Sequence, residues 1–407
     1  MRSPSTQLEP KMPGPLYGVK VLDLTTVVMG PFATQVLAEL GADVIKIEPH
    51  EGDNMRHAGP MRSAGMGYMF LNLNRGKRGI VLDLKRTEGR EAMMRLIPRA
   101  DVLIYNVRPQ AMARLGLAYE HVRAANPRLL YVGAYGYSQR GPYAAKAAYD
   151  DLIQGAAGVP WLASRNGEAP RYAPVNLADR LTGLHAVYAV TSALYHRERT
   201  GEGQAVEVPM FESVAHFVLG DHSAGLTYDP PIADPGYARL LARRPYATRD
   251  GYICVLVYND KQWKSFFDAI GRPEMMTDER YSTQASRARN IAKIYDTLAD
   301  LMKKRTTAEW TALLEKADIP VSAMNSIEDV VHDPHLAATG FFARENHPSE
   351  GKLFAARTPT HWSQSEPELP RPAPRLGEHS AEVLREAGYS DAEIAELVRR
   401  GVTLLAS

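Results

Sequence analysis

The stretch VKVLDLTTVVMGPFATQVLAELGADVIKIE, residues Val19–Glu48, decides the fold. It opens with an apolar, β-rich run, Val19–Leu24, continues with a helix-like stretch from Pro31 to Leu40, and closes with a second apolar run, Asp43–Glu48. Two such runs separated by a helical pattern are typical of a β-α-β unit, in which a right-handed crossover joins two parallel strands. We therefore expect an α/β fold.

The same alternation continues to about residue 136, and it predicts a large Rossmann-like domain with a parallel sheet covered on both faces. The further predicted elements are strands at Gly79–Leu84, Asp101–Tyr105 and Leu129–Ala134 and a helix at Thr87–Ile97. Ligands of such sheets bind beyond the carboxyl ends of the strands. Lys85 and Asn106 follow two of these strands and offer a cation and an amide there.

Two proline-containing tracts, residues 221–245 and 359–374, interrupt the pattern, and we interpret them as linkers. Between them, a strand pattern, amphipathic helix patterns and the capping box Thr306-Thr-Ala-Glu309 predict a smaller α+β domain. The predicted strand is Gly251–Val257, and the predicted helices are Lys261–Ile270 and Ile291–Lys304. The predicted division is a disordered extension at 1–13, a large domain at 14–225, a small domain at 226–330, and a C-terminal segment at 331–407 with helices at Ser380–Ala387 and Ser390–Arg400.

Composition limits the classes of function. The 407 residues are 45% hydrophobic and 23% charged, with a net charge of +1, so we expect a folded protein without a nucleic-acid or membrane partner. The single cysteine, Cys254, lies in an apolar run, where we expect it to be buried. One cysteine excludes an internal disulfide, and no apolar run is long enough to span a membrane, so the expected location is cytoplasmic.

Several common active-site motifs are absent. The first strand–turn–helix lacks Gly-x-Gly-x-x-Gly, which argues against a nicotinamide cofactor although Glu48 lies where a ribose-binding acid would be. Phosphate-loop, zinc-protease and hydrolase-elbow motifs are also missing. His332 and His335 are interpreted as turn residues, and we expect no metal site.

The segment Asn176-Leu-Ala-Asp179-Arg-Leu-Thr-Gly183 places an aspartate at the start of a predicted helix. Asp179 can be the N-cap of that helix, or a carboxylate kept ionised by the helix dipole and able to attack an activated carbonyl. Taken alone, the residues favour the cap and leave the second role open. The predicted apolar face of the helix consists of Leu181, Leu184, Val187, Tyr188, Thr191 and Leu194.

Ordered sequence fragments extend from about Gly18 to Val402: Val21–Thr25, Gly30-Pro31, Leu40–Glu48, Asn74–Arg78, Leu82–Lys85, Ala100–Asn106, Tyr149-Asp150, Arg199–Gln204, Asp250–Ile253, Asp333–Leu336 and Gly377–His379. In these fragments the chain resembles the class III CoA-transferases, the family of formyl-CoA transferase, carnitine CoA-transferase and α-methylacyl-CoA racemase. Each fragment is weak alone, but the ordered set is specific.

The resemblance implies that Asp179 is the catalytic aspartate and that CoA moves from an acyl-CoA donor to a small carboxylic acid through an aspartyl anhydride and an aspartyl-CoA thioester. It implies no permanently bound cofactor, with CoA and acyl-CoA acting as substrates. It also implies an interlocked homodimer whose C-terminal segment returns to the large, CoA-binding domain. The implied CoA-contacting residues are Val27, Leu82, Lys85, Asn106, Val107, Ala111 and Arg114.

Two other functions remain open. A 2-methylacyl-CoA racemase of the family uses the aspartate together with a histidine just before the position of Asp150, where this chain has Tyr149, so transfer is favoured. A non-catalytic acyl-CoA-binding protein is the third alternative. Asp150 is implied to lie near the active site, where it either orients or tunes the nucleophile or caps a helix over residues 151–157.

The identity of the acceptor acid is less constrained. Formyl-CoA transferases carry a glutamine in the first turn and a glycine-rich loop in the small domain, whereas this chain has Val28-Met29 and Ala238–Arg244 there. We therefore expect a short dicarboxylate with succinyl-CoA rather than oxalate with formyl-CoA. The candidate anchors for the second carboxylate are Arg56, His57, Arg180, Arg239, Arg243 and Arg244.

Overall fold

In the computed structural model the described residues are 13–165, 167–368 and 370–406. Residues 1–12 of the predicted extension lie outside them. The chain divides into two compact units: the first contains the chain up to Ala157, Ala173–His216 and everything from Gly340 onward, and the second contains Gly158–Tyr172 and Phe217–Thr339. No helix in the described ranges is both long and apolar enough to span a membrane.

The first unit is built on a six-stranded parallel sheet, which confirms the α/β prediction. Its strands are β1 Lys20–Leu24, β2 Asp43–Glu48, β3 Arg78–Val81, β4 Val102–Tyr105, β5 Leu130–Tyr135 and β6 Ala205–Pro209. The strand order is β3-β2-β1-β4-β5-β6, and Leu22 pairs with Ile45 on one side and with Leu103 on the other. The order reverses between β1 and β4, where sheets of this type bind ligands.

Helices cover both faces of this sheet. They are α1 Met29–Glu39, α2 Tyr68–Leu73, α3 Thr87–Leu96, α4 Pro109–Arg114, α5 Tyr119–Ala125, α6 Asp150–Ala156, α8 Leu177–Thr200, α18 Ser380–Glu386 and α19 Asp391–Arg399, with 3-10 turns at Asn54–His57 and Ile97–Arg99. Successive residues of β1 point to opposite faces: Leu22 packs in one core with residues of α3, α18 and α19, and Val21 in another with residues of α1 and α8. A hairpin, β10 Phe342–His347 and β11 Gly351–Ala356, completes the unit.

The predicted apolar face of α8 is only partly correct, since Val187 and Leu194 pack against the core while two other members do not. Leu184 and Tyr188 are 50% and 58% exposed, and the buried side of the helix is a row of smaller residues. That row consists of Ala178, Thr182, Gly183, Ala186, Val190 and Ala193. A Cβ at Gly183 would lie 2.7 Å from Cδ1 of Phe32 and 2.9 Å from the backbone oxygen of Met29. The close approach of α8 to α1 therefore needs small residues at the contact and leaves Leu184 and Tyr188 outside it.

The second unit combines a three-stranded antiparallel sheet with short helices. Its strands are β7 Tyr246–Ala247, β8 Tyr252–Val255 and β9 Val321–Ala323, and its helices are α7 Val159–Ala163, α10 Ala238–Ala242, α11 Asp260–Ala269, α12 Glu279–Ser282, α13 Gln284–Arg289, α14 Ile291–Met302, α15 Thr307–Lys316, α16 Ile327–Val331 and α17 Pro334–Ala338. Helix α9, Met210–His222, spans the boundary between the units. A 3-10 turn lies at Pro273–Thr277. The capping box of Thr306 and Glu309 is present.

Two local expectations for this region are corrected. Cys254 is only partly buried, and the fully buried residue of β8 is its neighbour Ile253. The segment 221–245 is not wholly irregular: α9 continues to His222, a 3-10 turn spans Ala224–Thr227, and α10 lies inside it.

Candidate active site

A cavity of about 280 Å³ opens at the carboxyl ends of β1, β4 and β5. It lies where the strand order reverses, and all of its lining residues belong to the first unit. The lining residues are Thr26, Val27, Val28, Met29, Asn106, Val107, Arg108, Pro109, Ala134, Tyr135, Gly136, Tyr137, Gln139, Ala144, Lys146, Ala147, Ala148, Tyr149, Asp150, Asp179 and Met210. The cavity therefore brings together the turn after β1, the turn after β4 and the start of α8.

The turn after β1 is held against the turn after β4 by one amide side chain. Oδ1 of Asn106 accepts from the Thr26 N–H at 3.0 Å, and its Nδ2 donates to the Thr26 oxygen at 2.8 Å. Val27 has a φ of +73°, which is unusual for a β-branched residue. This part of the cavity wall is consequently defined by backbone conformation.

Asp179 is the third residue of α8 and not its N-cap, because the helix begins at Leu177 and Asn176 precedes it. Its side chain lines the cavity and only 9% of the residue is exposed. Within the described ranges its carboxylate has no hydrogen bond, so the capping role is wrong. Burial raises the pKa of Asp179 to about 7, the Asp150 carboxylate adds to the rise, and the Arg180 guanidinium opposes it. Burial therefore makes this carboxyl group harder to ionise than an ordinary aspartate, whereas the helix dipole was expected to keep it ionised.

Asp150 connects two helices. It is the first residue of α6, its Oδ1 accepts from Nε2 of Gln154 at 2.5 Å, and its Oδ2 accepts from the backbone N–H of Asp179 at 2.9 Å. Asp150 was expected to cap a helix over residues 151–157. Instead, one of its carboxylate oxygens accepts from Gln154 within α6, and the other accepts from a backbone N–H at the start of α8 that has no partner within that helix. Asp150 fixes the backbone from which Asp179 projects.

The residues expected to contact CoA fall into two groups. Val27, Asn106 and Val107 line the cavity. Leu82, Lys85, Ala111 and Arg114 do not: Leu82 is 1% exposed in the core, and the cations Lys85 and Arg114 are exposed on the surface. The basic residues that do line the cavity are Arg108 and Lys146. Lys146 was not among the predicted site residues, although it lies only four residues before Asp150 in the sequence.

The expected carboxylate anchors are also separated by the structure. Arg56 is 1% exposed, binds both oxygens of Glu48 at 2.8 and 2.7 Å, and stacks on Phe70, so neither Arg56 nor Glu48 is free for a ligand. His57 is exposed and outside the cavity lining. Arg239, Arg243 and Arg244 belong to the second unit, where Arg244 pairs with Asp296.

Arg180 differs from the other arginines. It directly follows Asp179, its guanidinium stacks over the Phe32 ring at 4.5 Å, and no ion pair or side-chain hydrogen bond is found for it in the described part of the chain. Burial lowers the pKa of Arg180 while Asp179 raises it. Arg180 does not line the cavity itself but lies beside it, on the first turns of α8.

Histidine is missing from the cavity lining as the structure describes it, and Tyr149, 68% exposed, occupies the position before Asp150. The Asp150 carboxylate, the other acid in the lining, is already bound to Gln154 and to the α8 backbone, so the cavity lacks the aspartate–histidine pair of the racemases. No group of three or more His, Cys, Asp or Glu side chains arranged to hold a metal is found among residues 13–165, 167–368 and 370–406.

The fold and the cavity define an α/β protein with a buried acid at the switch point of a parallel sheet. A family model described as CoA-transferase family III matches residues 16–380, and the chain belongs to this family. A succinate–glutarate CoA-transferase of Agrobacterium fabrum is 34% identical over 387 residues, covering 93% of this chain and 96% of the relative. A formyl-CoA:oxalate CoA-transferase of Shigella sonnei is 34% identical over 416 residues, covering 95% of this chain and 99% of the relative.

Solved structures agree. A CAIB/BAIF family protein from Brucella suis is 34% identical, with a TM-score of 0.79 over 92% of this chain and 100% of that chain. The Mycobacterium tuberculosis protein Rv3272 is 31% identical, also with a TM-score of 0.79, over 91% of this chain and 99% of that chain. The predicted family is confirmed, and the matches extend over nearly the whole chain.

Proposed function

We propose that this protein transfers CoA from an acyl-CoA donor to a small carboxylic acid, with Asp179 as the nucleophile. The observation that carries the proposal is the placement of this carboxylate, buried and without a hydrogen bond among the described residues, in the cavity at the sheet's switch point. Membership of CoA-transferase family III and the names of the relatives support the same activity.

The chemistry has four acyl-transfer steps. An oxygen of Asp179 attacks the thioester carbonyl of the donor, the C–S bond breaks, and CoA leaves as a thiolate, so that a mixed anhydride forms. The thiolate attacks the aspartyl carbonyl, which releases the donor acid and forms an aspartyl-CoA thioester. The acceptor carboxylate then displaces the thiolate to give a second anhydride, and the thiolate attacks its acyl carbonyl, which restores the Asp179 carboxylate.

The burial of Asp179 serves this chemistry in two ways. A poorly hydrated carboxylate is a stronger nucleophile than one in water, and substrate that fills the cavity would shield the anhydride and the thioester from hydrolysis. The raised pKa means that the attacking form increases as the pH rises through about 7. Asp150 holds the start of α8 through the Asp179 N–H, so we assign it a positioning role.

For the substrates, we propose succinyl-CoA as donor and a short dicarboxylate as acceptor. Arg180 supports this, because it is an arginine beside the nucleophile without an ion pair in the described structure, and a guanidinium binds a carboxylate with two parallel hydrogen bonds. The relative from Agrobacterium fabrum carries succinate and glutarate in its name. Oxalate is disfavoured by Val28 and Met29 in the first turn.

For CoA itself, we propose that Val27, Asn106 and Val107 contact the thioester end within the cavity. CoA is longer than the cavity, so its phosphates extend onto the protein surface, where Lys85 and Arg114 are exposed cations. We further propose an interlocked homodimer of this chain. The predicted ranges 14–225, 226–330 and 331–407 are adjusted to the two compact units, because the second unit also takes in Gly158–Tyr172 and extends from Phe217 to Thr339.

The test is covalent capture. Protein incubated with succinyl-CoA and then treated with hydroxylamine or borohydride should carry a modification at Asp179, located by mass spectrometry of peptides. The variant Asp179→Asn should lose both the adduct and CoA transfer while keeping its fold. Deuterium from solvent entering the α-carbon of a 2-methylacyl-CoA, with no adduct, would instead identify a racemase. Full CoA exchange by Asp179→Ala would exclude Asp179 as the nucleophile.

A further inference from the structure

Four charged side chains lie buried beneath the turn that follows β1. Asp23, Lys46 and Lys77 are 0% exposed and Asp53 is 1% exposed. Lys46 binds Asp53 at 2.9 Å and Lys77 binds Asp23 at 3.0 Å. We call these four residues the charge layer. Apolar residues of similar size would avoid the desolvation of four ions, so the layer calls for an explanation beyond stability.

The charge layer holds the backbone of the turn. Oδ1 of Asp23 accepts from the Thr25 N–H at 2.9 Å, and Nζ of Lys46 donates to the Thr25 oxygen at 2.9 Å. Lys77 donates to the Pro31 oxygen at 3.0 Å, on the far side of the turn. The two ends of the turn are thus hydrogen-bonded to three charged side chains, and each of these lies on a different strand or loop.

The middle of the turn is held in the same way. Oδ1 of Asp53 accepts from the Val27 N–H at 3.2 Å, and Asn106 binds both the N–H and the oxygen of Thr26. Side chains therefore satisfy the N–H and oxygen of Thr25, the N–H and oxygen of Thr26, and the N–H of Val27. Side chains from four separate segments thus hold five consecutive backbone groups of this turn.

The hydrogen bonds from these side chains hold the turn at a residue, Val27, that has an unfavourable backbone conformation. Val27 has a φ of +73°, a region that β-branched residues avoid, and it persists only where surrounding contacts enforce it. Val27 and its neighbours Thr26, Val28 and Met29 all line the cavity that contains Asp179. The strained residue is therefore part of the wall that faces the reacting groups.

We propose that Lys46 and Asp53 are positioning residues of the reaction: their buried ion pair forces Val27 into the left-handed conformation and so shapes the cavity wall against which the acyl thioester is aligned. This inference rests on the proposed function for its activity readout. Neither side chain touches the substrate. Their effect passes through the Val27 backbone, whose N–H Asp53 binds while Lys46 holds Asp53 and the Thr25 oxygen.

A double-mutant cycle separates positioning from simple stabilisation. Glycine adopts positive φ without strain, so in a Val27→Gly background these hydrogen bonds are no longer needed to hold the conformation. Asp53→Asn should lower kcat for CoA transfer by about ten- to a hundredfold in the wild-type background and by only about two- to threefold in the Val27→Gly background, which corresponds to the coupling seen between contacting residues. Asp53→Ala, which also removes the Val27 contact, should follow the same pattern.

The matched control is Glu39→Gln. It removes another buried ion pair of the same unit, Glu39 with Arg75 at 2.8 Å, at the far end of α1 and away from the turn. Glu39→Gln should lower the thermal midpoint of unfolding. Any change that it causes in kcat should be the same in the wild-type and the Val27→Gly backgrounds. Two results would overturn the proposal and make the charge layer only structural. One is that the kcat losses of Asp53→Asn and Val27→Gly simply multiply in the double variant. The other is that Val27→Gly rescues Glu39→Gln as well as it rescues Asp53→Asn.

A second readout keeps this outcome distinct from failure of the proposed function. The affinity of each variant for free CoA, measured by titration calorimetry, should show the same rescue by Val27→Gly without any turnover. If the wild-type protein formed no Asp179 adduct but Val27→Gly still rescued the CoA affinity of Asp53→Asn, only the transfer mechanism would be refuted. Additive effects on CoA affinity in a catalytically competent protein would refute the positioning role alone.

Discussion

At the scale of single residues, the site depends on a carboxyl group kept in an unfavourable environment. Asp179 is buried beside a second carboxylate, and only Arg180 opposes the resulting rise in its pKa. A buried acid with a raised pKa weakens the folded state whenever it is ionised. The same arrangement would provide the proposed reaction with a poorly solvated nucleophile, so function and stability would compete at this residue.

Asp179→Asn should therefore stabilise the protein in a pH-dependent way. The pKa of Asp179 is about 7 in the folded state and near 3.8 when unfolded, so the wild type loses stability as the pH rises between these values and reaches a plateau above about 7. The asparagine variant lacks this loss, so its advantage should be near zero at about pH 4 and up to about 4 kcal/mol at about pH 8. Urea unfolding at both values measures it. An advantage that does not change with pH would contradict the assigned burial.

Arg180→Gln should change acceptor preference. If the guanidinium binds the second carboxylate, kcat/KM for succinate or glutarate should fall by about ten- to a hundredfold, the value of a charge-assisted hydrogen bond, with much less effect on a monocarboxylate such as butyrate. Because the loss of Arg180 also raises the pKa of Asp179 for every acceptor, the ratio of the two kcat/KM values is the measurement.

Arg180→Lys is the matched variant, since it keeps the charge without the planar fork and should retain part of the preference. An equal loss for both acceptor classes would show that Arg180 acts only through Asp179. If Lys146→Met lost the preference for dicarboxylates and Arg180→Gln kept it, the anchor would be Lys146, in the loop that lines the cavity.

At the scale of elements, α8 links the site to the sheet. Its first turn carries Asp179, and its buried side packs on α1, whose first turn forms part of the cavity wall. Gly183 lies at the contact, against Phe32 and Met29. The distance between the two helices therefore sets the position of Asp179 relative to the turn after β1.

Gly183→Ala should damage both stability and activity. Its Cβ would fall 2.7 Å from Phe32 and 2.9 Å from the Met29 oxygen, so α8 must move away, at a free-energy cost of about 1–3 kcal/mol. The control is Gly220→Ala in α9, where a Cβ meets nothing within 4 Å and should stabilise by about 0.5–1 kcal/mol. Chemical denaturation and the rate of Asp179 labelling report the two effects. Equal behaviour of the two variants would rule out the close contact as the reason for glycine.

At the scale of the whole molecule, α8 has a second side that the chain leaves open. Leu184, Tyr188 and Tyr195 are between 50% and 67% exposed and lie on the solvent side of the helix. Such a row of large apolar residues is typical of a surface that binds another protein, and the proposed homodimer would cover it with a second copy.

The dimer has a direct measurement. Light scattering at micromolar protein should give twice the chain mass of 45.0 kDa. Tyr188→Glu should shift the mass towards the monomer or reduce the yield of folded protein, because it places a charge in an apolar interface. The exposed Glu198→Lys on the same helix serves as the control. A monodisperse monomer of the wild type would refute the proposed assembly.

The sequence predicted the parallel sheet well because its signal is local, the alternation of apolar strands with helices from Val19 to Ala134. The capping box of Thr306 with Glu309 is an equally local signal, and it predicted the start of a helix in the second unit. It failed where packing decides. The apolar face of α8 was assigned to its largest residues, but the short distance to α1 selects its smallest. Arg56 looked like a free anchor and is instead enclosed with Glu48.

By itself, the sequence determined the fold class and the family and singled out Asp179 as the residue to test, because periodicity and ordered motifs are properties of the chain. Only the tertiary structure decided which charges are paired, strained or shifted. Asp150 meets the start of α8 across 29 residues, and Lys77 meets Asp23 across 54. The pKa of Asp179 and the conformation of Val27 arise from such distant contacts, since burial and electrostatic fields depend on neighbours in space.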